Sequence, residues 1–122
     1  MPVTGSTMLE STTLKALQTA LDGLMARERA TSDNISNVNT PYYTARQVAF
    51  EDSLRRAVNS GQDPATAGFT TSYSDGPRSL TGNNVDLDSE TVTAMQTSLR
   101  YDLALRATGD QFSLLRTAAR AV

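Results

Sequence analysis

From about Ser89 to Ala119 the chain carries two apolar stripes at helical spacing. Val92, Met95, Leu99, Leu103, Ala107 and Leu114 form one, while Tyr101, Leu105, Phe112, Leu115 and Ala119 form another on nearly the opposite side. A helix with two apolar faces has two surfaces to cover, and a single short domain rarely supplies both. Asp88 is the expected N-cap, Glu90 suits the positive end of the helix dipole, and Arg116 and Arg120 suit the other end.

A second periodic segment lies near the other terminus, from about Ser11 to Asn37. Leu14, Leu17, Leu21, Leu24, Met25 and Ile35 fall within one narrow sector, with Ala20 at its edge. Ser11 or Thr12 is a candidate cap, and Thr7-Met8-Leu9-Glu10 has the competing spacing of a capping box. Asn37 and Asn39-Thr40-Pro41 mark the end, because the residue before a proline is pushed out of helical geometry. Such a helix reaches roughly 40 Å at ~1.5 Å per residue. Gly23 and Gly109 sit inside the two helices, each costing about 1 kcal/mol against alanine. Thr19, Thr31, Ser32, Thr93, Thr97, Ser98, Thr108 and Ser113 add to the weakness, so burial must supply most of the stability.

Between the helices the periodicity stops. Tyr43–Val48 reads as extended and Phe50–Val58 as a helical turn or two. From Asn59 to Asn84, Gly61, Asp63-Pro64, Gly68, Asp75-Gly76-Pro77 and Gly82-Asn83-Asn84 predict a mobile loop. A short hairpin of Phe69–Tyr73 with Arg78–Leu80 is weakened by Pro77. The expected fold is mainly α: long terminal amphipathic helices packed as a helical hairpin or coiled-coil-like pair, joined by an irregular middle. Within one domain spanning 1–122 the divisions are a flexible 1–10, a helix over 11–38, a turn, extended piece and short helix over 39–58, a loop over 59–84, and a helix over 85–122.

Composition narrows function. Hydrophobic residues make up 39% of the 122, under the usual share of about 45–50%, and Trp is missing, so a large self-sufficient core is not expected. With 11 basic and 13 acidic side chains the net charge is -2, which argues against nucleic-acid binding and against a polybasic membrane anchor. Without His or Cys the chain lacks the usual neutral-pH proton shuttle, thiol nucleophiles, zinc ribbons and disulfides. No residue is assigned a catalytic, cofactor-binding or metal role. Met1–Ser6 has neither the basic nor the apolar region of a cleaved signal peptide, and no stretch approaches the roughly 18 apolar residues of a membrane span, so a soluble chain is expected.

The densest constellation is Ser32-Asp33-Asn34-Ile35-Ser36-Asn37-Val38-Asn39-Thr40-Pro41-Tyr42-Tyr43. Physically it is a helix end followed by a turn, with Asn side chains able to bond the freed backbone groups. It resembles the signature of the axial proteins of the bacterial flagellum, at Asn34, Ile35, Asn37, Asn39, Thr40, Pro41 and Tyr43. Tyr42 departs from it, standing where that family usually has glycine; a left-handed turn there would be strained. Arg46–Leu54, Asn83–Glu90 and Ser98-Leu99-Arg100-Tyr101 narrow the resemblance to the basal-body rod proteins, and within them to the proximal rod.

That resemblance implies a structural subunit of the rod, exported unfolded through the flagellar type III apparatus without a cleaved signal peptide. It would assemble helically through its terminal helices outside the cytoplasmic membrane and transmit torque towards the distal rod and hook. Implied partners are copies of itself, other rod subunits, the adaptor between rod and membrane ring, the membrane-ring protein and the export gate. Subunit packing would fall on Leu14, Leu17, Leu21, Leu24 and Met25 of the first helix. On the second it would use Val92, Met95, Leu99, Leu103, Leu105, Phe112 and Leu115.

Phe50 and Leu54 have the spacing of an export-gate element, and equally that of an ordinary apolar contact four residues apart on a helix. Asp86, Asp88 and Glu90 invite a calcium reading, but Thr91 and Thr97 occupy the places where an EF-hand needs Gly and Glu, so capping is the better account. Arg55-Arg56 reads as a solvated surface step. Competing classes are another rod subunit, a helical adaptor or secretion chaperone, which should form a stable dimer, and a small enzyme. The last finds no nucleophile elbow, phosphate loop or paired-carboxylate spacing.

Overall fold

Two polar ties, rather than a thick apolar core, join the pieces of this chain. The computed structural model describes the backbone of residues 5–121 and the side chains of 12–121. In chain order the elements are helix α1 (Gly5–Ser36), strand β1 (Arg46–Ala49), helix α2 (Glu51–Asn59), a 3-10 turn (Pro64–Thr66), strand β2 (Thr70–Tyr73) and helix α3 (Leu87–Arg120). The fold is mainly α, as the two periodic segments require.

α1 and α3 lie side by side and antiparallel, since Asn34 near the end of α1 bonds Glu90 near the start of α3. Their seam includes a run of small residues: Thr31 and Thr97 are buried, and Ala94, Ala104 and Thr108 are half-covered. The threonines expected only to weaken the helices therefore do their packing, because a short side chain lets two helix axes approach closely. α1 also carries β1, α2 and the 3-10 turn. Among the described residues the buried apolar side chains are Leu21, Leu24, Ala45, Val48, Phe50 and Ala57, a thin set with two alanines on the strand-and-α2 side.

Phe50 explains Gly23. A Cβ built on Gly23 would stand 2.4 Å from the Phe50 ring, so this glycine is the socket in which the ring sits, not merely a weak point of the helix. Gly109 has no such neighbour within 4 Å.

Several sequence expectations are corrected. α1 begins at Gly5, ahead of Ser11, and ends at Ser36; Ser11 and Thr12 lie inside it, and the Thr7 side chain lies outside the described residues. The N-cap of α3 is Asp86, whose side chain accepts the Ser89 N–H at 3.3 Å, while Asp88 falls in the first turn. Residues 59–84 are not one loop, and no hairpin forms across Asp75-Gly76. Instead β2 pairs antiparallel with β1, Arg46 opposite Tyr73 and Ala49 opposite Thr70. β1 lies against α1 and can fix a partner strand, whereas Arg78–Leu80 follows Pro77 and is tied to Gly82 and Asn83 by local hydrogen bonds.

Candidate functional site

The end of α1 leaves backbone groups without helical partners, and the asparagines meet them. Asn34 is fully buried. Its Nδ2 donates to the Arg46 carbonyl at 2.8 Å and to Glu90 Oε1 at 3.0 Å. Its Oδ1 accepts the Arg46 N–H at 2.9 Å and the Tyr43 hydroxyl at 3.2 Å. One amide thus spends both donors and both lone pairs on the extended segment and α3 together.

Asn83 and Asn84 complete the junction. Asn83 Nδ2 donates to the carbonyls of Asn37 and Thr40, both at 2.8 Å, and its Oδ1 accepts the Val85 N–H at 2.8 Å. Asn84 Oδ1 accepts the Ala45 N–H at 2.7 Å, and its Nδ2 donates to the Ser74 carbonyl at 2.9 Å. Asn37 closes its own helix end on the Asp33 carbonyl and accepts the Thr40 hydroxyl at 3.0 Å.

Tyr42 adopts φ 61, the left-handed region, where a bulky side chain is an outlier. Its N–H donates to the Thr81 carbonyl at 2.9 Å, and its ring lies against Gly82, where a Cβ would stand 2.7 Å from Tyr42 Cδ1. The expected strain is present, and the bare glycine opposite gives the ring room without relieving the backbone. The ring itself is 83% exposed.

Glu51 makes a second tie. It accepts from Arg27 of α1 and, at 3.2 Å, from Arg100 of α3; Arg27 also donates to the Val48 carbonyl at 2.9 Å and lies over the Phe50 ring, 5.0 Å from its centre. The hydrogen bond from Arg27 holds the Glu51 carboxyl below its ordinary range, and its charge adds to this against the opposing effect of burial. Glu90 moves the other way: burial raises its pKa, the Asn34 hydrogen bond opposes this, and the nearby Asp86 charge adds to it. Asp86 is lowered by the hydrogen bonds it accepts from Ser89. Asp86 and Glu90 are thus engaged as a cap and a junction partner.

Of the signature residues, Asn34, Asn37, Thr40 and Tyr43 meet in the junction, Ile35 is half-buried beside Ala94, and Asn39 and Pro41 are exposed. Of the packing residues, Leu21 and Leu24 are buried within the chain, and Leu14, Leu17, Met25 and Leu115 are half-covered. Val92, Met95, Leu99 and Leu103 stand 53%, 69%, 61% and 55% exposed, and Leu105 and Phe112 are also open. The first stripe of α3 is therefore a bare ridge, while the second is only partly covered by α1. Phe50 is buried and Leu54 half-buried, four residues apart as the spacing requires, with the Leu54 N–H donating to the Phe50 carbonyl at 2.9 Å.

Sequence reasoning missed Arg27, Glu51 and Arg100 as a three-way ion contact and read Asn83-Asn84 as turn residues. A polar pair before a helix cap was the available signal; the carbonyls that Asn83 meets lie more than 40 residues away.

No family model matches this chain. It is 30% identical to the flagellar basal body rod protein FlgB of Escherichia coli (strain K12), over 80% of this chain and 86% of that protein. It is 26% identical to the FlgB of Bacillus subtilis (strain 168), over 89% and 94%, and 34% identical to that of Borrelia hermsii, over 68% and 77%.

Proposed function

The chain belongs to the FlgB family of flagellar basal body rod proteins, and from that premise we propose that it is a structural subunit of the proximal rod. It is exported by the flagellar type III apparatus, assembles outside the cytoplasmic membrane through its terminal helices, and passes torque from the membrane ring to the distal rod and hook. The observation that carries this reading is the bare ridge Val92–Met95–Leu99–Leu103 on α3, an apolar strip of a kind that marks an interaction face. Copies of itself, other rod subunits, the adaptor and the membrane-ring protein are its neighbours there.

Two features support passage through a channel as an unfolded thread. The buried apolar set is thin, so unfolding costs little. Phe50 of the Phe50–Leu54 element is buried in the folded chain, so a gate that reads the pair does so before folding.

The chain has no cysteine, which makes single-cysteine crosslinking clean. Leu99→Cys and Leu103→Cys in intact cells are expected to crosslink to basal-body proteins, and Arg55→Cys on the exposed face of α2 is not. A clean deletion is expected to abolish external filaments and swimming. Normal motility in that deletion, or ridge cysteines that find no basal-body neighbour, would overturn the reading.

A further inference from the structure

β1 and β2 form a two-stranded sheet whose two outer edges differ. In an antiparallel pair, residues alternate between exchanging hydrogen bonds with the neighbour strand and pointing their N–H and C=O outward. The Ser74 N–H donates to the Ala45 carbonyl at 2.8 Å, in register with the pairs Gln47–Ser72 and Ala49–Thr70. These are therefore the bonded pairs, and Arg46 and Val48 point to the outer edge of β1. That edge is covered from α1: Asn34 takes the Arg46 N–H and C=O, and Arg27 takes the Val48 C=O.

The same alternation turns the N–H and C=O of Thr71 and Tyr73 to the outer edge of β2. All four residues of β2 are exposed. Among the described residues no hydrogen bond reaches these four outward groups. The strand, Thr70-Thr71-Ser72-Tyr73, has high β-propensity, no charge, no proline and no bulge, so it lacks the devices that ordinarily blunt an open edge.

We infer that the β2 edge is a self-association surface, occupied by β2 of a second copy in antiparallel pairing about a two-fold axis at Ser72. Its self-complementarity selects that occupant. The two outward residues are two apart, so the axis sets Thr71 opposite Tyr73 of the second copy twice and satisfies all the free groups with four hydrogen bonds. The register also sets Asp75 opposite Phe69, so no like charges face each other. It brings Phe69, half exposed, diagonally across from the second copy's Tyr73, 69% exposed. The result is a four-stranded sheet in the order β1-β2-β2-β1. An isologous contact closes at two copies, whereas a rod is polar and open-ended. For any one subunit, this pairing and incorporation into the rod are alternatives. The inference rests on edge geometry and is independent of the rod reading.

The test compares purified full-length chain, Thr71→Pro and Leu99→Asp by sedimentation and residue-resolved amide exchange from micromolar to millimolar concentration. Thr71 donates nothing to β1, so proline there removes only an outward N–H; the Gln47 and Ser72 amides report whether the β1–β2 pair survives. Expected is a concentration-dependent rise towards twice the monomer mass, with exchange at the Thr71 and Tyr73 amides slowed by about tenfold or more. Thr71→Pro abolishes the mass rise, and Leu99→Asp leaves it. Amides at Thr71 and Tyr73 that exchange alike at all concentrations, or a dimer that survives Thr71→Pro, would overturn it. A dimer lost only in Leu99→Asp would overturn the edge pairing and support the α3 ridge instead.

Discussion

The junction around Asn34 and the ridge along α3 are opposite solutions to the same shortage of apolar residues. At the junction a few amides are buried and completely paired; on the ridge, large apolar side chains turn more than half of their surface to water. A satisfied polar knot specifies one arrangement, because each misplacement leaves a buried group unpaired. An apolar ridge specifies little by itself and gains only when covered. The chain therefore fixes its own geometry with hydrogen bonds and leaves much of its large apolar surface for association.

The sharpest way to break this contrast is truncation at each site. Asn34→Ala strands the Arg46 backbone groups and the Tyr43 hydroxyl, and is expected to cost about 3 kcal/mol or more in urea unfolding. Leu99→Ala on the ridge should change the stability of the isolated chain by less than about 0.5 kcal/mol. Equal losses would mean that the ridge is internally covered.

The glycines sharpen it next. Gly23→Ala drives a methyl into the Phe50 ring and should cost about 2 kcal/mol. Gly109→Ala meets nothing and should add about 0.5–1 kcal/mol. Thermal melts of the two variants are expected to move in opposite directions.

Tyr42→Gly relieves a left-handed tyrosine and should raise stability by about 0.5–1 kcal/mol in the same melts. A fall would mean that the ring contact with Gly82 outweighs the backbone strain.

The smallest effect is electrostatic. Glu90 binds its proton more tightly folded than unfolded, so its contribution is full below the ordinary carboxylate pKa and is lost as pH rises through the raised value. Glu51 behaves oppositely: its contribution is present above the ordinary range and is lost as pH falls through the lowered value. Glu90→Gln keeps an acceptor for Asn34 without the charge. It should raise stability near neutral pH and do nothing at strongly acid pH. Denaturant midpoints across pH check the sign.

The helices were legible because periodicity is local: Leu21, Leu24 and the stripes of α3 state their faces within a few turns. The asparagine-rich helix end was legible as a place, but its bonding was not. Asn34 reaches Glu90, and Asn83 reaches Asn37, across spans that no local pattern encodes. β2 was assigned the wrong neighbour for the same reason: Pro77 argued correctly against the hairpin, yet nothing near Thr70 points to Arg46–Ala49. Gly23 was read by propensity alone, because its reason lies in a ring 27 positions on.

Asn34–Glu90 and Glu51–Arg100 grip α3 at two points ten residues apart, roughly 15 Å at ~1.5 Å per residue. Two anchors along one rod suppress both sliding and spinning, so the first third of α3 is keyed to the body. Beyond Arg100 the half-covered positions are Tyr101, Ala104, Ala107, Thr108, Gln111 and Leu115, a face of mixed side-chain size. That keying fixes the rotation of the helix about its own axis, and with it the direction in which Val92, Met95, Leu99 and Leu103 face.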